Sequence, residues 1–246
     1  MEFPTKKAMI IESIESESGT LMLQKRMTAD GERFELIVGG HYVMSAVDGD
    51  TERMLATRTL ADLDSPGPLT VCVGGLGLGL TLTQTLCDGR VDEVLVAEIE
   101  ETIIRWNRVY LSRFNEHALS DRRVTVYAGD VMELIRRKRR RFDAVLLDVD
   151  NGPSFLVRED NDRLYSRSGL KSMRRALKPG GVLGLWSHRP DRRLHRLLED
   201  IFDAAHVTLI DDTHHDRDLP PTAIYTAKVV PRRRRAFFIG SMKEDI

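Results

Sequence analysis

The stretch LTVCVGGLGLGL, residues 69–80, decides the fold, because a continuous apolar run meets glycines at alternate positions. An apolar run bounded by turn signals is typical of a strand that is buried on both faces. Gly75, Gly77 and Gly79 predict a tight turn, and LGLTLTQTL, residues 78–86, predicts a helix directly after it. The sequence therefore predicts a strand–turn–helix unit that begins at residue 69.

The same alternation of strand and helix continues along the chain. Further strands are predicted in VDEVLVAEIE (91–100), RVTVYAGD (123–130), FDAVLLDVDNGP (142–153), GVLGLWSH (181–188), HVTLIDD (206–212) and TAIYTAKVV (222–230). Helices are predicted between them in ETIIRWNRVYL (101–111), VMELIRRKRR (131–140), NDRLYSRSGLKSMRRAL (161–177) and RRLHRLLEDIFDAA (192–205). This pattern predicts an α/β fold with a doubly wound, mostly parallel, seven-stranded sheet covered on both faces.

The first fifty residues show a different pattern of apolar and polar residues. Short alternating segments are separated by Asp30-Gly31, Gly39-Gly40 and Asp48-Gly49, a pattern typical of a small antiparallel β unit. A helix predicted over 52–63 follows the unit. We therefore predict a small N-terminal β unit over 1–52 and a nucleotide-binding domain over 53–246.

Composition narrows the class of protein. The 246 residues are 41% hydrophobic with a net charge of −1, so no global field attracts the chain to nucleic acid or membrane. No apolar run is long enough to span a membrane, and the N-terminus lacks the features of a signal peptide, so we expect a cytoplasmic protein. No Cys or His spacing indicates a metal site. The arginine runs 136–141 and 232–235 are expected to be solvated; nucleic-acid binding is the disfavoured alternative.

Ligands of open α/β sheets bind beyond the carboxyl ends of the strands, so the residues there are candidates for a site. The glycine turn lets a ligand touch the backbone, and the helix after it offers free N–H groups. A dinucleotide fingerprint needs glycine at position 80, where this chain has Leu80. The spacing therefore favours an S-adenosylmethionine-type ligand over NAD, with Gly75, Gly77 and Gly79 as cofactor-binding residues.

Acids end three successive predicted strands, at Glu98, Asp130 and Asp148. Glu98, about 20 residues after the glycines, is placed to accept both ribose hydroxyls. Asp130 is placed to accept from the adenine amino group, with Val131 beside the ring. Three acids at one edge of the sheet indicate a nucleoside site.

The turn that follows the fourth strand is the candidate centre of chemistry. It contains Asp148, Asp150 and Asn151. A sulfonium donor is cationic, and an amine acceptor must lose a proton before it attacks carbon, so a nearby carboxylate can act as general base. We assign that role first to Asp148, then to Asp150, and we assign Asn151 and Tyr165 to substrate binding.

Weaker candidates at the same edge are aromatic or polar residues that follow the later strands. They are Trp186, Ser187, His188, His214 and His215. Tyr165 either lines an acceptor pocket or packs in the core.

The order VGGLGLG, VAEIE, DRRVTVYAGD, FDAVLLDVDNGP and LKPGGVL resembles the spermidine synthase family over about residues 70–185. The resemblance implies a class I methyltransferase-like (Rossmann-like) fold and a homodimer. It also implies aminopropyl transfer from decarboxylated S-adenosylmethionine to a small amine, without a metal. Asp148 matches the family's catalytic acid, and Glu98 and Asp130 match its ribose and adenine positions.

Three departures from the family pattern keep other functions open. Leu76 takes the place of an acid in the glycine loop, and the family's D-S-x-D turn is replaced by DVDNG at 148–152. The glutamine and tyrosine of the family's diamine pocket have no clear match near 45–54. An S-adenosylmethionine-dependent methyltransferase on a small molecule is the main alternative. A nucleotide-binding module without chemistry, a nicotinamide-dependent oxidoreductase and an interaction protein that uses the arginine runs are the others.

Overall fold

The computed structural model describes residues 8–28, 31–45, 50–153, 156, 158–211 and 220–231, which form two sheets. The first four strands are β1 (Met9–Ser16), β2 (Gly19–Thr28), β3 (Gly31–Val38) and β4 (His41–Ser45). The others are β5 (Leu69–Gly74), β6 (Val91–Glu98), β7 (Val124–Ala128), β8 (Phe142–Leu147), β9 (Leu177–Ser187), β10 (Ala204–Ile210) and β11 (Thr222–Lys228). The helices are α1 (Asp50–Ala61), α2 (Leu80–Leu86), α3 (Glu101–Val109), α4 (Val131–Arg136), α5 (Asp162–Tyr165), α6 (Arg167–Ala176) and α7 (Arg192–Ile201).

The larger sheet has seven strands in the order β10-β11-β9-β8-β5-β6-β7. Strands β5 to β9 run parallel, and β11 runs antiparallel to both β9 and β10. Every residue of β5 and β8 is buried, because these central strands are covered by helices on both faces. The predicted doubly wound, mostly parallel, seven-stranded sheet is confirmed.

The N-terminal strands form an antiparallel sheet in the order β1-β2-β3-β4. The predicted β unit is confirmed, and β1 is an additional strand. The inner face of the small sheet, with Leu21, Leu23 and Leu36, packs into one hydrophobic core with residues of the large sheet and its helices. Glu12 on β1 accepts two hydrogen bonds from Arg105, at 2.7 and 3.0 Å, and one from the Trp106 indole at 3.0 Å, and so ties this sheet to α3.

Several helices are shorter than predicted. Helix α7 ends at Ile201 and not at 205, because Ala204 already belongs to β10. Helix α4 ends at Arg136, so most of the first arginine run lies beyond the helix rather than closing it. The helix predicted over 161–177 is two helices, because Ser166 is extended and its hydroxyl accepts from the Gly169 N–H at 3.1 Å as an N-cap. The second arginine run and the histidines 214 and 215 lie outside the described residues.

Helix α1 connects the two sheets and packs against β9, where the close approach leaves no room for a side chain at position 184. A Cβ atom on Gly184 would lie 2.0 Å from the Thr59 hydroxyl oxygen. The division of the chain at 52/53 stays a prediction. No helix in the described part of the chain is both long enough and apolar enough to cross a membrane.

Candidate active site

A cavity of about 890 Å³, measured to its open mouth, lies at the carboxyl ends of the parallel strands. Leu36 and Val38 on β3 form part of its wall, so the small sheet closes a site that the large sheet builds. Seven of the predicted site residues line the cavity: Gly75, Gly77, Glu98, Asp130, Val131, Asp148 and Asp150.

The glycine loop brings β5 and β8 into direct backbone contact. Gly75 has φ +87°, and a Cβ atom there would lie 2.1 Å from the Asp148 carbonyl oxygen. Gly79, also at positive φ, caps α2 and packs against Asn107 and Asn115, outside the cavity lining. Of the three predicted glycines, the structure therefore places Gly75 and Gly77 in the cavity wall.

Leu76, which stands where the family pattern has an acid, does not line the cavity. It is 3% exposed and packs in the hydrophobic core, while its neighbours Gly75 and Gly77 line the cavity. The glycine loop therefore presents no side chain to the cavity at these two positions.

Glu98 is fixed by the backbone of two loops. One carboxylate oxygen accepts from the Leu76 N–H at 2.9 Å, and the other accepts from the Glu100 N–H at 2.9 Å. Burial, which leaves Glu98 7% exposed, raises its carboxyl pKa. Each carboxylate oxygen has a second lone pair, so both remain able to accept from a neighbouring pair of hydroxyls.

Asp130 is held on both oxygens. One caps α4 by accepting from the Met132 N–H at 2.8 Å, and the other accepts from the Arg163 guanidinium at 2.6 Å. Val131 is buried and adds an apolar surface beside the carboxylate. The ion pair with Arg163 was not predicted, because it joins residues 33 positions apart on different elements.

Asp148 ends β8 with its side chain at the cavity. Its N–H donates to the Gly74 carbonyl at 2.8 Å, and the Thr81 hydroxyl donates to its carboxylate at 2.6 Å. Desolvation raises its pKa from 3.8 to about 6, against the opposing effect of the Thr81 hydrogen bond. The carboxyl is therefore charged at neutral pH and takes up a proton more readily than an exposed aspartate.

The other residues of the acidic turn are supported by hydrogen bonds from outside the cavity. Asp150, at φ +55°, lines the cavity, whereas Asn151 and Tyr165 lie outside its lining. The Tyr165 hydroxyl donates to the Val149 carbonyl at 2.9 Å, and burial raises its pKa. The Asn151 carbonyl accepts from the His188 N–H at 3.2 Å. Tyr165 thus packs and supports the turn, which is one of the two roles that the sequence left open.

Among the weaker candidates, Trp186 lines the cavity. Its neighbour Ser187 is buried, and its hydroxyl donates a hydrogen bond to the Arg189 backbone carbonyl at 2.7 Å.

Five polar lining residues were not predicted: Ser18, Glu52, Glu100, Arg158 and Asn161. Arg158 pairs with Glu100 at 3.4 Å and donates to the Ser18 hydroxyl, which itself donates to Glu100. This network joins the β1–β2 turn, the end of β6 and the loop after β8. No local sequence pattern predicts this network, because its three segments lie far apart in the sequence.

The described lining residues carry a strong excess of negative charge. One is basic, Arg158, and six are acidic: Glu52, Glu98, Glu100, Asp130, Asp148 and Asp150. Low-dielectric walls strengthen the field inside such a cleft. The cavity therefore suits a cationic ligand. In the described part of the chain, no group of three His, Cys, Asp or Glu is arranged to hold a metal ion.

The sheet order, with a single antiparallel strand inserted next to the edge, defines a class I methyltransferase-like fold with a cleft at the carboxyl ends of its strands. Two solved structures share this fold over 89% of the chain at 20% identity. They are a spermidine synthase in complex with the transition-state analogue AdoDATO, at TM-score 0.74 over 73% of that chain, and the spermidine synthase from Thermotoga maritima, at 0.73 over 72%.

The particular family follows from the sequence match. The spermine/spermidine synthase domain matches residues 33–200, and the chain belongs to this family. It is 31% identical over 141 residues to a polyamine aminopropyltransferase of Nitrosomonas europaea, and 27% identical over 150 residues to polyamine aminopropyltransferase 2 of Pseudomonas aeruginosa. These matches cover 55% and 56% of this chain, and 41% of each relative's length.

Proposed function

We propose that this protein transfers an aminopropyl group from decarboxylated S-adenosylmethionine to a small amine. The observation that carries the proposal is the cavity at the strand ends, where six carboxylates face one arginine and Asp148 stands at the end of β8. Family membership supports the same reaction. The matched part of the curated relatives is less than half of their length, so the whole activity stands as a proposal.

The nucleoside half of the donor is assigned to the ends of β5, β6 and β7. Glu98 accepts from the ribose hydroxyls, because two backbone N–H groups hold its oxygens in place. Asp130 accepts from the adenine amino group, and Val131 packs beside the ring. Gly75 and Gly77 let the donor's sulfur approach the backbone of the glycine loop.

The transfer takes place beside Asp148. The lone pair of the acceptor nitrogen attacks the carbon next to sulfur, the S–C bond breaks with its electrons on sulfur, and a neutral thioether leaves. Before this attack the acceptor's ammonium gives one proton to the Asp148 carboxylate, which is the general base and thereby frees the lone pair. Asp150 stabilises the cationic amine in the same cavity. A carboxylate with a pKa of about 6 is ionised before the reaction and accepts a proton more readily than an ordinary aspartate.

Charge favours the decarboxylated donor over the intact one. Both carry a sulfonium and an ammonium, and the intact donor adds a carboxylate that six acidic residues repel. A methyltransferase that uses the intact donor remains the second candidate, because the glycine loop carries no acid to select the decarboxylated form.

Calorimetry on the full chain with decarboxylated S-adenosylmethionine, the intact donor and methylthioadenosine tests the proposal. We expect binding of all three, at least tenfold tighter for the decarboxylated donor than for the intact one. Incubation of that donor with putrescine should then yield a product heavier by one aminopropyl group in mass spectrometry. A preference for the intact donor would support the methyltransferase, and binding of none would overturn the nucleoside site.

Replacement of Glu98 by glutamine should weaken methylthioadenosine binding by roughly 10- to 100-fold. This is the loss of affinity expected when one or two charge-assisted hydrogen bonds are removed. The new amide group would also point a donor at a backbone N–H that now donates to Glu98. Glu101→Gln is the matched control, because Glu101 is exposed and lies outside the cavity lining. Equal affinity of both variants for methylthioadenosine would remove Glu98 from the ribose site.

We also propose, from family resemblance, a cytoplasmic homodimer that does not bind nucleic acid. Light scattering after size exclusion tests the dimer.

A further inference from the structure

Glu52 is a buried acid for which the assignments above give no role. It lies in the first turn of α1, is 5% exposed, and lines the cavity. An acid in the first turn of a helix ordinarily faces solvent and interacts with the helix dipole. Its burial in the lining instead places this acidic residue beside whatever ligand the cavity holds.

The side chain of Glu52 is oriented by its neighbours. The Trp186 indole N–H donates to the Thr51 hydroxyl at 3.1 Å, and that hydroxyl donates to the Glu52 carboxylate at 2.9 Å. Because Trp186 also lines the cavity, this hydrogen-bonded chain holds the carboxylate against the wall at the end of β9.

Glu52 and Asp148 belong to the same end of the cavity. The Thr81 hydroxyl that donates to Asp148 lies 3.3 Å from the Glu52 carbonyl oxygen. Asp130 follows β7 at the edge of the sheet, and β8 and β9 lie on the other side of the central strand β5. With adenine beside Asp130, the donor's alkyl arm therefore extends toward Asp148 and Glu52.

The donor's arm ends in an ammonium group that needs a partner. The two glycine-loop residues that line the cavity, Gly75 and Gly77, have no side chain to supply one. We propose that Glu52 binds the terminal ammonium of the donor's three-carbon arm and thereby selects the decarboxylated donor. This inference rests on the proposed function. An intact donor carries a carboxylate on the same carbon as the ammonium, and the charge of Glu52 repels it.

Two nucleosides separate this role from a structural one. Decarboxylated S-adenosylmethionine carries the ammonium, and methylthioadenosine shares its nucleoside but lacks both the ammonium and the sulfonium charge. In calorimetry on the full chain, Glu52→Gln should weaken binding of the decarboxylated donor by roughly 10- to 100-fold and leave methylthioadenosine within about twofold. Glu52→Asp, which keeps the charge, should recover part of the affinity. Glu101→Gln, an exposed control, should bind both nucleosides like the unmodified protein.

Three results would overturn the inference. If Glu52→Gln weakens the binding of methylthioadenosine as much as that of the decarboxylated donor, Glu52 supports the structure of the site and does not bind the ammonium. If it leaves donor affinity unchanged and raises only the KM for the amine, Glu52 binds the acceptor. If the unmodified protein binds neither nucleoside, the proposed function fails and the inference fails with it.

Discussion

Asp148→Asn is expected to lower the rate of aminopropyl transfer by roughly 100- to 10,000-fold, the usual contribution of a general base. The amide has nearly the same shape and still accepts from the Thr81 hydroxyl, so donor affinity should change only a few-fold. Single-turnover rates and calorimetry on the same preparations separate the two effects. Asp64→Asn, at a side chain 92% exposed, is the control.

The pH dependence of the rate gives an independent readout of the same group. Because the pKa of Asp148 is about 6, transfer should increase as the pH rises through 6, where the carboxyl becomes a base. Asp148→Asn should lack this inflection, while any rise due to the acceptor amine persists in both proteins. An inflection near pH 6 that survives in the variant would assign it to another group.

The same substitution should stabilise the fold at pH 7. The folded-state pKa of Asp148, about 6, lies above its ordinary value of 3.8, so the native protein binds more protons than the unfolded chain between these values. Its contribution to stability is therefore lost as the pH rises from about 4 to 6. We expect Asp148→Asn to unfold at a higher urea concentration than the unmodified protein at pH 7, with a smaller difference at pH 4. A loss at pH 7 would contradict this account.

The second large effect is expected at Gly75. A methyl group there would lie 2.1 Å from the carbonyl oxygen and 2.8 Å from the carbonyl carbon of Asp148, and the residue has φ +87°. Both contacts are to backbone, so relief requires the ends of β5 and β8 to move apart. Gly75→Ala should cost about 3 to 5 kcal/mol of unfolding free energy and abolish donor binding.

Gly89 offers the matched control for that experiment. A Cβ atom on Gly89 meets nothing within 4 Å. Gly89→Ala should therefore stay within about 0.5 kcal/mol of the unmodified protein in urea unfolding. If the two variants unfold at the same urea concentration, the close contact between the glycine loop and β8 is not a constraint.

The sheet was predictable because its determinants are local. Apolar runs such as 69–74 and 142–147 meet turn residues, and alternation with helices implies parallel strands. Strand β1 was less apparent, because acids and serines alternate with its apolar residues. The break at Ser166 was missed, because the flanking residues keep helical spacing while the serine hydroxyl caps a new helix.

The residues of the candidate site also divide into those that a sequence pattern predicts and those that it does not. Glu98, Asp130 and Asp148 were predicted because parallel strands bring their carboxyl ends to one edge. Glu52 and Arg158 were missed, because α1 and the loop after β8 reach the cavity only through tertiary packing. The burial of Leu76 in the core was not predicted either, since sequence does not reveal which way each side chain of a glycine turn points.

The excess of carboxylates around the cavity bears on competition inside a cell. ATP and NAD share the adenosine group that Glu98 and Asp130 are proposed to bind, and both are abundant. Their phosphates would enter a cleft in which Arg158 is already paired with Glu100. Electrostatic repulsion is therefore expected to disfavour phosphate-bearing nucleotides in this cleft, without any side chain dedicated to excluding phosphate.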